Sequence, residues 1–416
     1  MKLLTFLGTA EYKLTAYVWD GKEHISTYSP AASCAFLHPD ELIIFLTEEA
    51  QQAHYEKLRA EVDESVQVRA VPVPHGRNEQ ELWQIFAQVS ASVTPREEVA
   101  FDITNGLRSF PLLGLLVAAF LQNGLGVHLK AVLYGAFDVR DQTVQPNRTP
   151  MFDMSPMLSL LTWSAAADRF NQTGDSRHLA SLIQAQRNEL GKKAGKDPIL
   201  RDQAGSLGSL VSNLKDISQS LRLIRPFSTM EHIERLPATL EKALPTLQSS
   251  AAVMPFHLLM NNIRDAYLPL GLQQPLDPTN FAVNLNKQRG IIRWYVEREY
   301  WVQAVTLARE WLVNWFIYRL DLEDLTDRDL RDQVEERMNT AILQFRSPTG
   351  RQRIAQSFVT IPEAVEALEI WNNLIEARND INHAGMRPDP GDPDSLISII
   401  QKQVRRIEQL PVPERA

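Results

Sequence analysis

The segment Arg378-Asn379-Asp380-Ile381-Asn382-His383 joins a permanent cation to a side chain that exchanges protons near neutral pH. An RNA strand carries its own nucleophile, the 2′-hydroxyl. Its cleavage therefore needs only proton transfer and a cation to stabilise charge on the phosphate in the transition state. His383 could carry the proton and Arg378 could meet the phosphate. In an ideal helix these two lie about 140° apart, because each residue advances about 100°. Asn382 shares the face of Arg378 and Asn379 that of His383, so two such helices meeting at a two-fold axis could pool both faces. The same histidine also fits a plain helix cap. A second stretch, Thr104-Asn105-Gly106-Leu107-Arg108-Ser109, suits an anion: Gly106 lets the backbone approach closely, and a helix start with free amides beside Arg108 attracts phosphate. The first strand ends similarly, at Gly8-Thr9-Ala10, which places both loops on one edge of a sheet. An ordinary strand-to-helix turn with a surface arginine accounts for the same residues.

The elements that position these groups fall into two kinds. Up to about Arg140, apolar runs at Leu3 to Leu7, Leu42 to Leu46, Val66 to Val73, Val99 to Ile103 and Val127 to Tyr134 read as strands. Amphipathic stretches at Glu48 to Val62, Glu79 to Ser92 and Leu107 to Asn123 read as helices between them. This alternation predicts a mostly parallel, Rossmann-like α/β sheet that binds ligands beyond its carboxyl ends. Thr15 to Trp19 and Glu23 to Tyr28 predict a hairpin through Asp20-Gly21. After Pro150 the strand signal stops and helical periodicity takes over, with breaks expected at Gly205, Pro226, Pro237 and Pro245. Ile291 to Leu320 carries a tryptophan-rich stripe. Val365, Leu368, Trp371, Leu374 and Ile375 carry the stripe of the helix that ends in the Arg378 motif, stopped by Gly385, Pro388 and Pro390. The expected domains are residues 1–152, a helical interdomain region 153–278 and a helical domain 279–416, an α/β part followed by an all-α part.

Composition limits what such a chain does. At 416 residues there is room for two or three domains. A net charge of -8 argues against nonspecific coating of nucleic acid, so any nucleic-acid site must be local. Cys34 is the sole cysteine, which excludes an intrachain disulfide and suits a cytoplasmic location. The longest apolar stretch, Pro111 to Leu121, is short of the roughly 20 residues a membrane helix needs, so no membrane partner is expected. Neither G-x-G-x-x-G nor a Walker loop occurs. His24, His38, His54, His75, His128, His178, His232 and His257 are dispersed, and no metal site or cofactor is expected. Trp294, Trp301, Trp311 and Trp315 read as core. The charged run Asp321 to Glu336 reads as a solvated helix face from which Arg328, Arg331 and Arg337 could touch RNA.

Phe6-Leu7-Gly8-Thr9, Asp102-Ile103-Thr104-Asn105-Gly106-Leu107-Arg108 and Tyr134-Gly135-Ala136-Phe137 resemble the CARF domain of CRISPR-associated accessory ribonucleases of type III systems. Asp153-Met154-Ser155-Pro156, Phe170 and Thr173-Gly174-Asp175 resemble that family's interdomain segment. Arg293-Trp294-Tyr295 through Tyr300-Trp301, Ala304, Leu307, Glu310-Trp311 and Trp315, with the Arg-Asn-x-x-x-His ending, resemble a HEPN domain. The resemblance implies an allosteric activator, a cyclic oligoadenylate and the tetramer foremost, bound by Gly8, Thr9, Ala10, Thr104, Asn105, Gly106, Arg108, Tyr134 and Gly135. It implies a homodimer cutting single-stranded RNA without a metal in antiviral defence, with Arg378 and His383 as the catalytic pair supported by Asn379. It leaves open whether Thr9, Thr104 and Arg108 also degrade the activator. The competing expectation is a CARF ligand sensor or regulator whose helical half only mediates protein contacts. A basic recognition helix would favour that regulator, and none is found.

Overall fold

Strands β1 (Lys2–Leu7) and β4 (Glu41–Leu46) each bury five consecutive residues, as strands covered on both faces must. The structure is a computed structural model that describes residues 1–106, 109–249, 254–322, 324–344, 352, 354, 358, 360–386 and 388–413. It divides into two compact units, Met1–Thr162 and Trp163–Ala416.

In the first unit, β2 (Thr15–Trp19), β3 (Lys22–Ser26), β5 (Gln67–Pro72), β6 (Glu98–Asp102), β7 (His128–Gly135) and β8 (Arg148–Asp153) join β1 and β4 in one eight-stranded sheet. Its order is β3-β2-β8-β7-β6-β1-β4-β5. From β7 to β5 every pairing is parallel, while β7 and β8, and β2 and β3, run antiparallel. Alternation along β1 sends Leu4 and Phe6 to one core and Leu3 and Leu7 to the other. Ile85, Val89, Phe110, Val117 and Leu121 of α4 (Glu79–Ala91) and α5 (Ser109–Gly124) belong to the first core. Ala31 and Cys34 of α1 (Ser29–Leu37), with Leu58, belong to the second. Between β4 and β5 the chain runs through α2 (Glu48–Ala50), one π turn at Gln51–Tyr55 and α3 (Glu56–Glu61), where one unbroken helix was expected.

Two elements of this unit depart from the periodicity reading. β8 was not foreseen because Pro150, which cannot donate to a ladder, argues against a strand. Here Pro150 stands at the last β2 pair, opposite Val18, and its carbonyl accepts from the Ala136 amide at 2.9 Å. α1 was not foreseen because it is buried nearly all round and has no polar stripe to betray it.

The second unit is helical: α6 (Ser155–Thr173) leads into α7 (Arg177–Ala194), α8 (Pro198–Arg222), α9 (Pro226–Ser249), α10 (Met254–Tyr267), α11 (Phe281–Glu297), α12 (Trp301–Arg319) and α13 (Arg328–Leu343), and then α14 (Ala364–Asn382) and α15 (Pro393–Gln409). Of the four expected breaks only Pro226 starts a helix. Gly205 lies inside α8, and Pro237 and Pro245 lie inside α9. An internal proline costs about 3 kcal/mol, and burying Ile233, Leu236, Leu240, Ala243 and Leu247 on one face of α9 offsets it. The tryptophan-rich stripe is carried by two helices, α11 and α12. The chain reverses at Glu299 (φ 58°), and the Tyr300 amide donates to the Tyr295 carbonyl at 2.9 Å. Trp311 and Trp315 are fully buried and Trp294 nearly so, as expected of core.

Candidate functional site

β6 lies between β1 and β7, so the loops that follow all three emerge side by side at the carboxyl edge of the sheet. Asp102, fully buried at the end of β6, organises them. Its carboxylate accepts from Ser33 Oγ at 2.6 Å, Ser29 Oγ at 3.2 Å and the Thr104 amide at 2.9 Å. Burial pushes its pKa above the ordinary carboxylate range, against the pull of those donors. Thr104 Oγ1 in turn accepts from the Gly135 amide at 2.8 Å, joining the β6 and β7 loops. Asn105 is turned inward, donating from Nδ2 to Ser29 Oγ at 3.0 Å, which assigns it to holding the turn.

Gly106 has φ 111°, and a Cβ there would come within 2.9 Å of the Phe110 ring and 3.2 Å of Phe6 Cβ. A Cβ on Gly8 would meet Gly106 Cα at 3.3 Å, so the β1 and β6 loops touch backbone to backbone. Tyr12 braces the β1 loop: its hydroxyl accepts from the Gly8 amide at 2.9 Å while its ring packs on Tyr28 and His54. Burial lifts the Tyr12 hydroxyl pKa to about 12. Thr9, Ala10 and Gly106 are exposed, Gly8, Thr104 and Tyr134 half-buried, and Gly135 buried. Among the described residues no hydrogen bond takes up the amides of Thr9, Ala10, Asn105 or Gly106. Free amides in such a turn form an anion-binding rim. Arg108 lies outside the described residues. Sequence reasoning gave no part to Ser29 and Ser33, whose i, i+4 spacing on α1 puts both hydroxyls on Asp102; their signal was hidden with the helix that carries them.

The second candidate group closes α14. His383 caps the helix, its amide bonded to the Asn379 carbonyl at 3.0 Å, and its side chain is exposed. The Ala384 amide then donates to Ile381 and the Gly385 amide to Asp380, the paired bonds of a Schellman ending. Both Ala384 (φ 53°) and Gly385 (φ 68°) are left-handed, so the stop begins one residue before the expected glycine. Asp380, 4% exposed, accepts from the Gly391 amide at 3.0 Å and pins the following loop back to the helix. Arg378 and Asn379 are half-buried neighbours, Arg378 Nη1 standing 3.5 Å from Asn379 Oδ1. Arg378 Nε is buried with no hydrogen bond among the described residues. The helix end thus presents an exposed imidazole one turn beyond a guanidinium that has spare donors.

Ala384 is the strained point of this ending, because a left-handed residue with a Cβ costs about 1 kcal/mol. Ala384→Gly is expected to raise stability by about 0.5–1 kcal/mol, read as a higher denaturant midpoint with an unchanged slope. An unchanged or lowered midpoint would mean that the turn is not left-handed there.

The expected solvated face on α13 needs correction at Arg331. Its guanidinium is 19% exposed and tied to Glu310 Oε2 at 2.6 Å and the Leu325 carbonyl at 2.7 Å, so it is not open to RNA. Arg328 is exposed beside Asp332, and Arg337 lies over the Phe358 ring at 4.4 Å. Among the described residues no three or more His, Cys, Asp or Glu side chains are grouped to hold a metal ion, and no helix is long and apolar enough to cross a membrane.

Comparison with known proteins finds similarity within the helical part. Residues 159–268 match the family described as CRISPR-associated protein MJ1674, second domain. CRISPR-associated protein MJ1674 of Methanocaldococcus jannaschii is 25% identical over 166 residues, 37% of this chain, and the match spans 26% of that protein's length. Csm6 of Enterococcus italicus, solved bound to cyclic hexa-2'-fluoro-hexa-dAMP, is similar at 11% identity and a TM-score of 0.47, with 100% of this chain and 95% of that one covered. The resemblance read from the sequence is borne out to this extent, that the chain is similar to CRISPR-associated proteins over these stretches.

Proposed function

We propose that this chain is a homodimeric, metal-independent endoribonuclease of type III CRISPR defence, acting in the cytoplasm and switched on by a cyclic oligoadenylate, the tetramer foremost. The α/β unit is its CARF sensor and the helical unit its HEPN effector. The observation that carries the catalytic reading is the end of α14, where an exposed His383 follows a half-buried Arg378 with an uncommitted Nε. His383 takes the 2′-hydroxyl proton as the 2′-oxygen forms its bond to phosphorus, and the P–O5′ bond breaks with return of a proton to the leaving oxygen. Arg378 stabilises the charge on the phosphate in the transition state, and Asn379 supports the pair. The products are a 2′,3′-cyclic phosphate and a 5′-hydroxyl.

The sensor reading is supported by the unoccupied amides of Thr9, Ala10 and Gly106 on a rim built around Asp102, with Thr104, Tyr134 and Gly135 beside them. Thr9, Thr104 and Arg108 are the residues for any cleavage of the activator. Self-association is supported by α5, which has no charged residue and exposes Leu112 (63%), Leu116 (52%) and Phe120 (45%) at four-residue spacing. Trp83 on α4 is 62% exposed, and its neighbour Phe86 packs on Phe120 at 5.1 Å.

The test is incubation of the full chain with single-stranded RNA, with and without cyclic tetra-adenylate, in EDTA. Activator-dependent cleavage that leaves cyclic phosphate ends is expected. Loss of activity in EDTA, or equal cutting of DNA, would overturn the mechanism. Activator binding without any cleavage would favour a non-catalytic sensor instead.

A further inference from the structure

The second unit holds a cleft of about 570 Å³ among α6, α7, α8, α11 and α12, away from the α14 ending in sequence and lined by none of its residues. Its walls carry Arg169, Arg177 and Arg222 against a single carboxylate, Asp175, in a chain whose overall charge is -8. Asp175 takes Arg177 fork to fork, Nε to Oδ1 at 2.8 Å and Nη2 to Oδ2 at 2.7 Å, and takes Arg169 Nη2 at 2.9 Å. One anion thus fixes two guanidiniums side by side and leaves N–H groups on both uncommitted. Arg177, foremost, holds the Asp175 carboxyl far below the ordinary range, so the brace stays ionised. Arg222 is exposed and makes no ion pair among the described residues.

Hydrogen bonds tie the surrounding backbone across helices. Ser176 donates from its hydroxyl to the Leu214 carbonyl at 2.8 Å, its amide donates to Ser218 Oγ at 2.7 Å, and the Tyr300 hydroxyl donates to the Thr173 carbonyl at 2.8 Å. Trp294, 5% exposed, forms part of the wall, and its indole N–H has no acceptor among the described residues. Three cations, one carboxylate and spare donors in a pocket-sized cleft suit a multivalent anion rather than a neutral ligand.

We propose that this cleft is a second anion site that binds phosphate groups, those of a free nucleotide or those of a single-stranded RNA. The full chain is titrated with ATP and, separately, with a short oligouridylate carrying 2′-O-methyl groups, each at several salt concentrations. The methylated strand cannot be cut through its 2′-oxygen, which keeps this test apart from the ribonuclease reading. Arg222→Gln is the leading variant, since an exposed side chain with no ion pair among the described residues can be removed without disturbing the fold. At least one probe is expected to bind, to weaken about tenfold in Arg222→Gln and again in Arg177→Gln, and to lose about one from its salt slope for each arginine removed. A response to ATP assigns the site to a nucleotide, and a response to the strand alone assigns it to RNA. The site is refuted if neither probe binds, or if both variants bind every probe as the unaltered chain does.

Discussion

His383→Ala and Arg378→Ala are each expected to lower activator-stimulated RNA cleavage by about 10²–10⁴-fold, the range measured for removing a positioned proton carrier or a transition-state charge partner. Folding is not expected to confound this result. His383 is exposed at the helix cap, where it bonds through its backbone amide, and alanine keeps that bond. Arg378 carries a buried Nε with no partner among the described residues, so truncation removes an unsatisfied donor along with the charge, and the stability change should be small. Arg378→Lys makes the test sharper. A lysine restores the charge but not the planar fork, so partial recovery is expected if Arg378 meets a phosphate oxygen. Cleavage at the unaltered rate by a folded His383→Ala protein would remove the histidine from the mechanism. Equal stability, dimer content and activator affinity in all three variants would place the loss at the chemical step.

What could be read in the residues before the fold was seen divides along physical lines. The parallel core was legible because Leu3 to Leu7 and Leu42 to Leu46 are short continuous apolar runs, the pattern of strands covered on both faces. The Arg378 ending was legible because Gly385 and two prolines punctuate a strong apolar stripe. α1 was not, since its small buried residues show no amphipathic period. That omission hid Ser29 and Ser33, and with them the means by which Asp102 sets the Thr104 turn. Asn105 was read from its place in the loop as capping the helix or donating to a ligand, and its carboxamide points to Ser29. Loop position does not give the direction of a side chain. Arg331 shows the same limit from the other side, because a charged run looks solvated until Glu310 and the Leu325 carbonyl come into reach across the fold. Arg169 and Arg177 flank Asp175 in the chain, but Arg222 stands well beyond them, and only the fold brings it to the same cleft.

Gly106→Ala is expected to abolish the response to a cyclic oligoadenylate while leaving basal cleavage in place. Gly106 has φ 111°, a region that costs a residue with a Cβ about 1–3 kcal/mol, and the added carbon would stand 2.9 Å from the buried Phe110 ring. Phe110 packs against Phe6 at 5.1 Å in the core beneath, so the turn and not the core must give way. A displaced turn moves the Asn105 and Gly106 amides and breaks the close approach to Gly8, the features that make this rim suited to phosphate. An activator drives a switch only through its preference for one state over the other. A rim that no longer fits it should therefore lose about tenfold or more in affinity and flatten the activation curve. Gly8→Ala separates fit from strain, because Gly8 is not left-handed and the atoms nearest its added carbon belong to the Gly106 backbone, the first at 3.3 Å. It should weaken the activator with little loss of stability. Activator affinity and RNA cleavage are measured across an activator titration for both variants, with thermal unfolding as the check on folding. An unchanged affinity and an unchanged curve in Gly106→Ala would show that the activator does not bind at this edge of the sheet.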